Sequence, residues 1–189
     1  MHYQTQGNRI MHVTAEVRVR YAETDQMGVV YYANYLVWFE VGRVELLRAL
    51  GFSYSVLETE HECILPVVEA SCRYRAPARY DDEILIETRP ALLRGSVIKF
   101  AYRILRKGSE GAEPALLAEG ETVHVVCDDQ LNKKPLPEHY AQALRVLMST
   151  DYSGFRIAIP KGIHPSRPDP KEGRPGIEDR QGTPILKPL

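Results

Sequence analysis

Residues 21–50, which read YAETDQMGVVYYANYLVWFEVGRVELLRAL, decide the fold of this chain. Between Tyr31 and Leu50 apolar side chains are so dense and so continuous that the segment predicts a helix rather than a strand. The first half of this helix is apolar nearly all round, and only the second half shows a polar face. We therefore expect a central helix that is buried on most sides. Gly51 follows it directly and is a residue type that commonly ends helices.

The segments around this helix alternate between apolar and polar residues, which is the pattern of half-buried β-strands. One such segment, Val13 to Tyr21, precedes the helix, and four follow it, at about 68–75, 83–87, 97–104 and 119–127. A short C-terminal helix is predicted from Pro137 to Met148. The order of strand, long helix and four strands predicts an α+β protein in which an antiparallel sheet of about five strands wraps around the helix.

The composition changes beyond Thr150, where proline and glycine become frequent and apolar periodicity ends. Such a segment has few side chains with which to build a core. We expect one domain over residues 1–150 and an extended C-terminal tail over residues 151–189, either disordered or laid along a neighbouring subunit.

Charge and cysteine content exclude several classes of protein. Lysine plus arginine total 24 and aspartate plus glutamate total 25, so there is no electrostatic case for nucleic acid or an anionic membrane as partner. No apolar run has membrane-spanning length, and residues 1–11 lack the apolar core of a signal peptide. The three cysteines form no CxxC pair, which favours a reducing compartment. These features together predict a cytoplasmic protein.

Asp25 is the residue best placed for chemistry. It lies just before the predicted helix, whose first turn presents unpaired backbone N–H groups and a partial positive charge. A carboxylate there can act as a nucleophile or as a general base, while the N–H groups stabilise an oxyanion. The structural alternative is an N-cap or turn carboxylate, a common use of aspartate before a helix. Gly28 predicts a backbone turn that a side chain would obstruct.

Two stretches resemble the 4-hydroxybenzoyl-CoA thioesterase family of hotdog proteins, a group that includes the acyl-CoA thioesterases linked to the bacterial Tol–Pal system. In the first, Gly28 follows Asp25 by three residues, Tyr32 comes four residues later, and Asn34 and Tyr35 lie in the helix. The second is YRAPARYDD at residues 74–82. The resemblance covers roughly residues 13–148. It implies a hotdog fold and the hydrolysis of acyl- or aroyl-CoA thioesters to the free acid and CoA, with no cofactor.

The same resemblance implies roles for individual residues. Asp25 is expected to be the central catalytic residue, and the backbone amide of Tyr32 is expected to point at the thioester oxygen. Many Tol–Pal-type members carry His where this chain has Tyr32, so the mechanism should rely on backbone groups. The 4-hydroxybenzoyl-CoA type carries Tyr, which weakly favours an aromatic acyl group. For the side chains of Tyr32 and Tyr35 simple packing is the favoured interpretation, and Asn34 either bonds the Asp25 loop or caps the helix. Gly28 and Asn34 are also expected among the residues that bind the substrate.

Coenzyme A carries several phosphates, so basic residues are expected near the mouth of its pocket. The candidates are Arg94 with Ser96, at the turn before a strand, and Lys133 with Lys134, after the last strand. An equal alternative is that these are solvated turn residues.

No metal site is expected. His61, His124 and His139 fall in different predicted elements without ligand spacing. His124 lies in the middle of a strand, which favours a hydrogen-bonded or edge histidine over a catalytic base.

We expect a homo-oligomer, because the open edge of a hotdog sheet is protected by pairing with a second sheet and the family's sites lie between subunits. A tetramer built from two dimers is the predicted form. Three other functions remain open: a hotdog dehydratase, a non-catalytic acyl-CoA-binding module, and an interaction protein that works through its proline-rich tail. The dehydratase is disfavoured because no histidine lies near the start of the helix.

Overall fold

The structure is a computed structural model that describes residues 2–6, 9–109 and 111–149, with side chains from His12 onward. The strands are β1 (His2–Gln6), β2 (Arg9–Arg18), β3 (Val67–Tyr74), β4 (Glu83–Arg94), β5 (Val97–Arg106) and β6 (Ala115–Val125). The helices are α1 (Asn34–Ala49), α2 (Tyr54–Thr59) and α3 (Glu138–Met148). The tail predicted for residues 151–189 lies outside the described residues.

The six strands form one antiparallel sheet in the order β1-β2-β4-β5-β6-β3. Strands β2 and β3 follow each other along the chain, yet β2 lies next to one edge of the sheet and β3 forms the other edge. The chain between them must therefore cross the sheet, and α1 makes this crossing in contact with β2, β3, β4 and β5. One long helix lying across an antiparallel sheet is the α+β hotdog arrangement that the sequence predicts, and the fold prediction is confirmed.

The helix and the sheet approach each other closely in the core. A Cβ atom at Gly42 of α1 would overlap the side chains of Thr88 and Ile86 on β4. Phe39, one turn earlier, stacks on the ring of Tyr102 with the centroids 4.3 Å apart. Gly120 on β6 leaves the space that the Phe39 ring fills. Because interiors are close-packed, these contacts fix the height and direction of α1 on the sheet.

Several boundaries differ from the prediction. Strand β2 ends at Arg18 rather than Tyr21, and Tyr21–Glu23 form a 3-10 helix. Helix α1 begins at Asn34 rather than near Tyr31, because the preceding residues are held in turns. Strand β1 and helix α2 were not predicted at all. The first is polar in sequence, and the second is too short to show a helical period.

The expected burial of α1 on most sides is not met within a single chain. Trp38 and Phe39 are buried against the sheet, but Leu36 and Val37 are 42% and 47% exposed. The edge strand β3 is also largely uncovered, with Val67 and Val68 exposed. Uncovered apolar side chains on a helix face and on a neighbouring sheet edge are typical of surfaces that contact another molecule.

A chain of buried polar side chains runs through the core. The Tyr102 hydroxyl lies 2.8 Å from Thr122 Oγ1, which lies 2.8 Å from His124 Nε2. His124 Nδ1 lies 3.0 Å from the Leu65 carbonyl oxygen. Since a carbonyl only accepts, His124 donates from Nδ1 and accepts the Thr122 hydroxyl at Nε2, and Tyr102 donates to Thr122. His124 is thus the hydrogen-bonded histidine that the sequence favours. Burial lowers its pKa to about 4.

We expect the free energy of unfolding to fall as the pH is lowered from about 6.5 toward 4. Folded His124 stays neutral down to its lowered pKa, whereas unfolded His124 takes up a proton near 6.5, so protons favour the unfolded chain in this window. The loss from this group should be on the order of 3 kcal/mol. Urea denaturation across this pH range should show a smaller fall for His124→Gln than for the wild type. An equal fall in both proteins would contradict this account of the core.

Candidate active site

Asp25 lies in a tight turn between β2 and α1. Its Oδ1 atom accepts a hydrogen bond from the Met27 N–H at 2.8 Å, and its carbonyl accepts one from the Gly28 N–H at 3.0 Å. Gly28 has a φ of +71°, which confirms the turn predicted at this glycine. Asp25 therefore does serve as a turn carboxylate through one oxygen. Within the described residues no hydrogen bond occupies the other oxygen.

The carbonyl of Glu23 accepts hydrogen bonds from the residues that lead into α1. It accepts hydrogen bonds from the Tyr31 N–H at 2.9 Å and from Asn34 Nδ2 at 2.8 Å. The N-cap position of α1 is Ala33, which offers no side-chain cap. Of the two interpretations left open for Asn34, the structure has the bond to the segment that carries Asp25. The helix start and this loop are consequently one connected unit.

The carboxylate of Glu23 is buried beneath the same loop. Its Oε2 accepts from the Arg20 N–H at 2.7 Å, and its Oε1 accepts from the Arg20 guanidinium at 3.1 Å and from Trp38 Nε1 at 3.4 Å. Burial opposes ionisation, but these hydrogen bonds and the charge of Arg20 outweigh it and hold the pKa of Glu23 below its usual value. Glu23 thereby ties the loop to Trp38 in α1.

The sequence reasoning missed Glu23, and strand alternation could not have found it. Strand β2 ends at Arg18, Tyr21 is 79% exposed, and Glu23 lies in the 3-10 helix Tyr21–Glu23. Glu23 is buried because this short helix turns its carboxylate back onto the Arg20 N–H, a contact that no strand period encodes.

Tyr32 lies two residues before α1 and has an exposed side chain. In the part of the chain that the structure describes, its backbone N–H donates to no acceptor. Tyr32 and Asp25 line the same cleft, which has a volume of about 330 Å³. The other residues of its wall are Met27, Val29, Val30, Tyr35, Tyr74, Arg75, Ala76 and Pro77. Gly28 and Asn34 shape the backbone around this cleft and are not part of its wall.

Two tyrosines form the aromatic side of the cleft. Tyr35 is buried, its hydroxyl accepts the Ala78 N–H at 3.1 Å, and burial raises its pKa. The ring of Tyr74 meets that of Tyr35 edge-on, with the centroids 5.1 Å apart. The Tyr74 hydroxyl donates to the carbonyl of Tyr32 at 3.0 Å. Tyr74 belongs to the second motif of the sequence but was not singled out there, because nothing local in the sequence connects it to residue 32.

The predicted phosphate-binding residues come together at the other end of the sheet. Arg94 and Ser96 flank the turn between β4 and β5, and the Ser96 carbonyl accepts the Val126 N–H at 2.8 Å. The backbone N–H of Lys134 donates to the Val126 carbonyl at 3.0 Å, and Lys133 is its neighbour. Four residues from two distant stretches therefore share one region, which is separated by the length of the strands from Asp25.

The side chains of these basic residues differ in whether they already have hydrogen-bond partners. Lys134 Nζ donates to the carbonyls of His61 and Glu62, at 2.9 and 3.3 Å, and so holds the end of α2. Arg94 and Lys133 are exposed and make no ion pair within the described residues. They are the more available of the predicted partners for a phosphate.

The histidines are less scattered than the sequence suggested. The rings of His61 and His139 have their centroids 5.1 Å apart, beside Tyr140. Even so, in the described ranges no group of three or more His, Cys, Asp or Glu side chains is arranged to hold a metal ion. Nor does any helix in those ranges have the length and apolar character to cross a membrane.

We expect Glu23→Gln to lower the free energy of unfolding by about 1–3 kcal/mol, because the amide N–H₂ group would face donors of Arg20 in a buried position. Urea denaturation measures this change. Glu138→Gln is a matched control, since the exposed pair of Glu138 with Arg145 should contribute less than about 0.5 kcal/mol. Equal effects of the two substitutions would show that Glu23 has no special place in the fold.

The sequence is similar to those of known proteins. Residues 8–144 match the model of the thioesterase-like superfamily. The acyl-CoA thioester hydrolase YbgC of Escherichia coli O6:H1 is 41% identical over 119 residues, which are 63% of this chain and 84% of that protein.

Two crystal structures are similar over the same region. The hypothetical protein TT1821 from Thermus thermophilus has 39% identity and a TM-score of 0.64, and covers 71% of this chain and 98% of its own. Slr0204, a 1,4-dihydroxy-2-naphthoyl-CoA thioesterase from Synechocystis, has 27% identity and a TM-score of 0.65, and covers 73% and 98%. With a family match over most of its length and the hotdog sheet and helix in place, the chain belongs to the thioesterase-like superfamily.

Proposed function

We propose that this protein hydrolyses acyl- or aroyl-CoA thioesters to the free acid and CoA, with Asp25 as nucleophile or general base. The observation that carries the proposal is the cleft that Asp25 shares with Tyr32, whose N–H donates to no acceptor in the described chain. The relatives support the same chemistry, since YbgC is an acyl-CoA thioester hydrolase and Slr0204 is a 1,4-dihydroxy-2-naphthoyl-CoA thioesterase.

The Tyr32 N–H and the helix behind it suit the developing oxyanion. As the thioester carbonyl carbon becomes tetrahedral, its oxygen takes up negative charge, and a donor that is already oriented stabilises this charge with little reorganisation. The amino end of α1 adds a partial positive charge at the same place. The tyrosine side chain is not needed for this role, in keeping with the expected reliance on backbone groups.

Asp25 can act in either of two ways. As a general base it takes a proton from water, the hydroxyl adds to the carbonyl carbon, and the C–S bond breaks as the CoA thiolate leaves. As a nucleophile its carboxylate oxygen displaces the thiolate directly, and water then hydrolyses the resulting anhydride to the acid and free Asp25. The Met27 N–H orients the carboxylate in both cases.

Arg94 and Lys133 can bind the phosphates of CoA if two copies of the protein pair through their β3 strands. This edge strand has Tyr74 near the Asp25 cleft and Val67 opposite His124, at the end where Arg94 and Ser96 lie. Antiparallel pairing of β3 with its own copy would place the Val67 end of the partner beside the Tyr74 end of this chain. The partner's basic region would then approach this chain's cleft, which supports binding of the CoA phosphates by Arg94 and Lys133.

The exposed apolar side chains support the same assembly. Val67 and Val68 on β3, with Leu36 and Val37 on α1, would be removed from water by a second copy. Pairing would also satisfy the free backbone groups of the β3 edge. We propose a homodimer formed in this way, or a tetramer of two such dimers, as the working form of the protein.

Asp25→Asn should lower kcat about a hundredfold or more on every substrate, because the amide can neither attack the thioester nor accept a proton from water. Its remaining oxygen still accepts the Met27 N–H, so the loop and the assembly should persist. The assay is thiol release, followed with a trapping dye, from a panel of CoA thioesters from acetyl to palmitoyl with benzoyl and 4-hydroxybenzoyl.

Asp129→Asn, an exposed carboxylate in the loop after β6, is the matched control and should remain active. Activity retained in Asp25→Asn would refute the assigned role of Asp25. A wild type that binds these thioesters without turnover would instead favour the acyl-CoA-binding module.

The double substitution of Arg94 and Lys133 by Ala should raise KM for CoA thioesters about tenfold and leave kcat little changed, since it removes contacts that substrate and transition state share. Acyl-pantetheine lacks the phosphates, so its kinetics should be the same in variant and wild type. Lys99→Ala, which breaks an ion pair with Glu121 on the sheet, is the control. An unchanged KM for the CoA thioester would place the phosphates elsewhere.

A further inference from the structure

The hydroxyl of Tyr74 links the edge of the sheet to the start of α1. Tyr74 is the last residue of β3, and its hydroxyl donates to the carbonyl oxygen of Tyr32 at 3.0 Å. These residues are far apart in sequence, and both line the cleft that contains Asp25. The bond therefore joins a strand to the turn that presents the free N–H of Tyr32.

The backbone groups of Tyr31, the preceding residue, are hydrogen-bonded to Glu23 and Asn34 and not to the sheet. Tyr31 donates to Glu23, and the Tyr31 carbonyl accepts the Asn34 N–H at 2.9 Å. Among the described residues, the one backbone hydrogen bond that the Tyr32 carbonyl accepts is a long one, from the Tyr35 N–H at 3.4 Å. Its shorter bond is the one from Tyr74. Without it, rotation of the peptide unit that follows Tyr32 would be opposed by the weaker bond alone.

The side chain of Tyr74 is suited to a fixed geometry. Its ring packs edge-on against the buried ring of Tyr35, which is itself held by the Ala78 N–H. Partial burial and the neighbouring Cys72 raise the pKa of Tyr74 to about 12 although 45% of the residue is exposed, so the hydroxyl keeps its hydrogen at neutral pH and remains a donor. Because the Tyr74 ring packs against Tyr35 and its hydroxyl donates to the Tyr32 carbonyl, the side chain favours one position of that carbonyl.

We propose that Tyr74 is a positioning residue for the thioesterase reaction: by holding the Tyr32 carbonyl it restrains the backbone that follows the Tyr32 Cα, while the Asn34 N–H holds the Tyr31 carbonyl before it, and together they keep the Tyr32 N–H aimed at the oxyanion. This inference rests on the proposed function, since it assigns Tyr74 a role in the same cleft. The Tyr74 hydroxyl acts through the backbone of Tyr32, whereas the ring forms part of the cleft wall, so the contribution of the hydroxyl should not depend on the acyl group.

The kinetic test compares Tyr74→Phe with the wild type on the same thioester panel. The phenyl ring retains the contact with Tyr35 and removes only the donor. We expect kcat to fall about tenfold, by a similar factor for every acyl group, with KM little changed, because a small displacement of an oxyanion donor weakens transition-state stabilisation. Tyr80→Phe is the control, because the Tyr80 ring packs on Tyr21 and its hydroxyl makes no hydrogen bond in the described chain.

A spectroscopic readout tests the hydrogen bond without using activity. Protein labelled with ¹³C at tyrosine carbonyls and ¹⁵N at alanine amides gives signals only for Tyr-Ala pairs, which occur at 21–22, 32–33 and 140–141. In Tyr74→Phe the Tyr32–Ala33 signal should move, while the other two serve as internal references. In Tyr80→Phe the Tyr32–Ala33 signal should stay in place.

The outcomes separate this inference from the proposed function. A uniform fall in kcat together with a shifted Tyr32–Ala33 signal supports it. An unchanged kcat, an unmoved signal, or a loss that varies with the acyl group overturns it while the wild type remains a thioesterase. A wild type that hydrolyses no member of the panel overturns the proposed function, and this inference with it.

Discussion

The close contact between α1 and the sheet at Gly42 determines where the rest of the molecule can lie. Any larger residue there would push the helix away from Thr88 and Ile86 on β4. With the helix at this height, Phe39 can stack on Tyr102 above Gly120, and the amino end of α1 meets the loop that leaves β2. The cleft is a consequence of this packing, because its walls come from that loop, the helix start and the end of β3.

The candidate site uses backbone groups that are held by a few buried side chains. Glu23 accepts from the loop through its carboxylate and from the helix approach through its carbonyl, so one residue organises both sides of the turn. Asp25 uses one carboxylate oxygen for structure and leaves the other for chemistry. Such preorganisation is what electrostatic stabilisation of a transition state requires, since the donors need not move as charge develops.

The local features of this protein could be predicted from its sequence, whereas the distant contacts could not. Apolar alternation indicated β2 and the four strands that follow the helix, apolar density indicated the long helix, and a glycine indicated the turn at Gly28, because each is encoded in consecutive residues. The boundary near Tyr31 was wrong because hydrogen bonds that Tyr31 and Asn34 donate to the Glu23 carbonyl, and not helix propensity, determine where α1 begins.

Contacts between separate stretches account for what was missed. Tyr74 and residue 32 meet only when β3 takes the far edge of the sheet. The gathering of Arg94 and Lys133 likewise depends on how β5 and β6 pair, and the proximity of His61 to His139 depends on where α3 packs. The exposed face of α1 was also unexpected. Its apolar residues suit contact with a second molecule, and the sequence of one chain does not distinguish such a contact from burial within that chain.

The buried chain from Tyr102 through Thr122 to His124 also protects the alignment of β6 against error. A displacement of this strand by one residue would turn Thr122 and His124 outward and bring Glu121 and Val123 into the core. Tyr102 and the Leu65 carbonyl would then lose their partners, and a carboxylate would be buried with none. Apolar alternation alone discriminates weakly here, because valine would take a buried place readily. The hydrogen-bonded side chains of Tyr102, Thr122 and His124 therefore raise the free energy of the misaligned sheet, which favours a single register of β6.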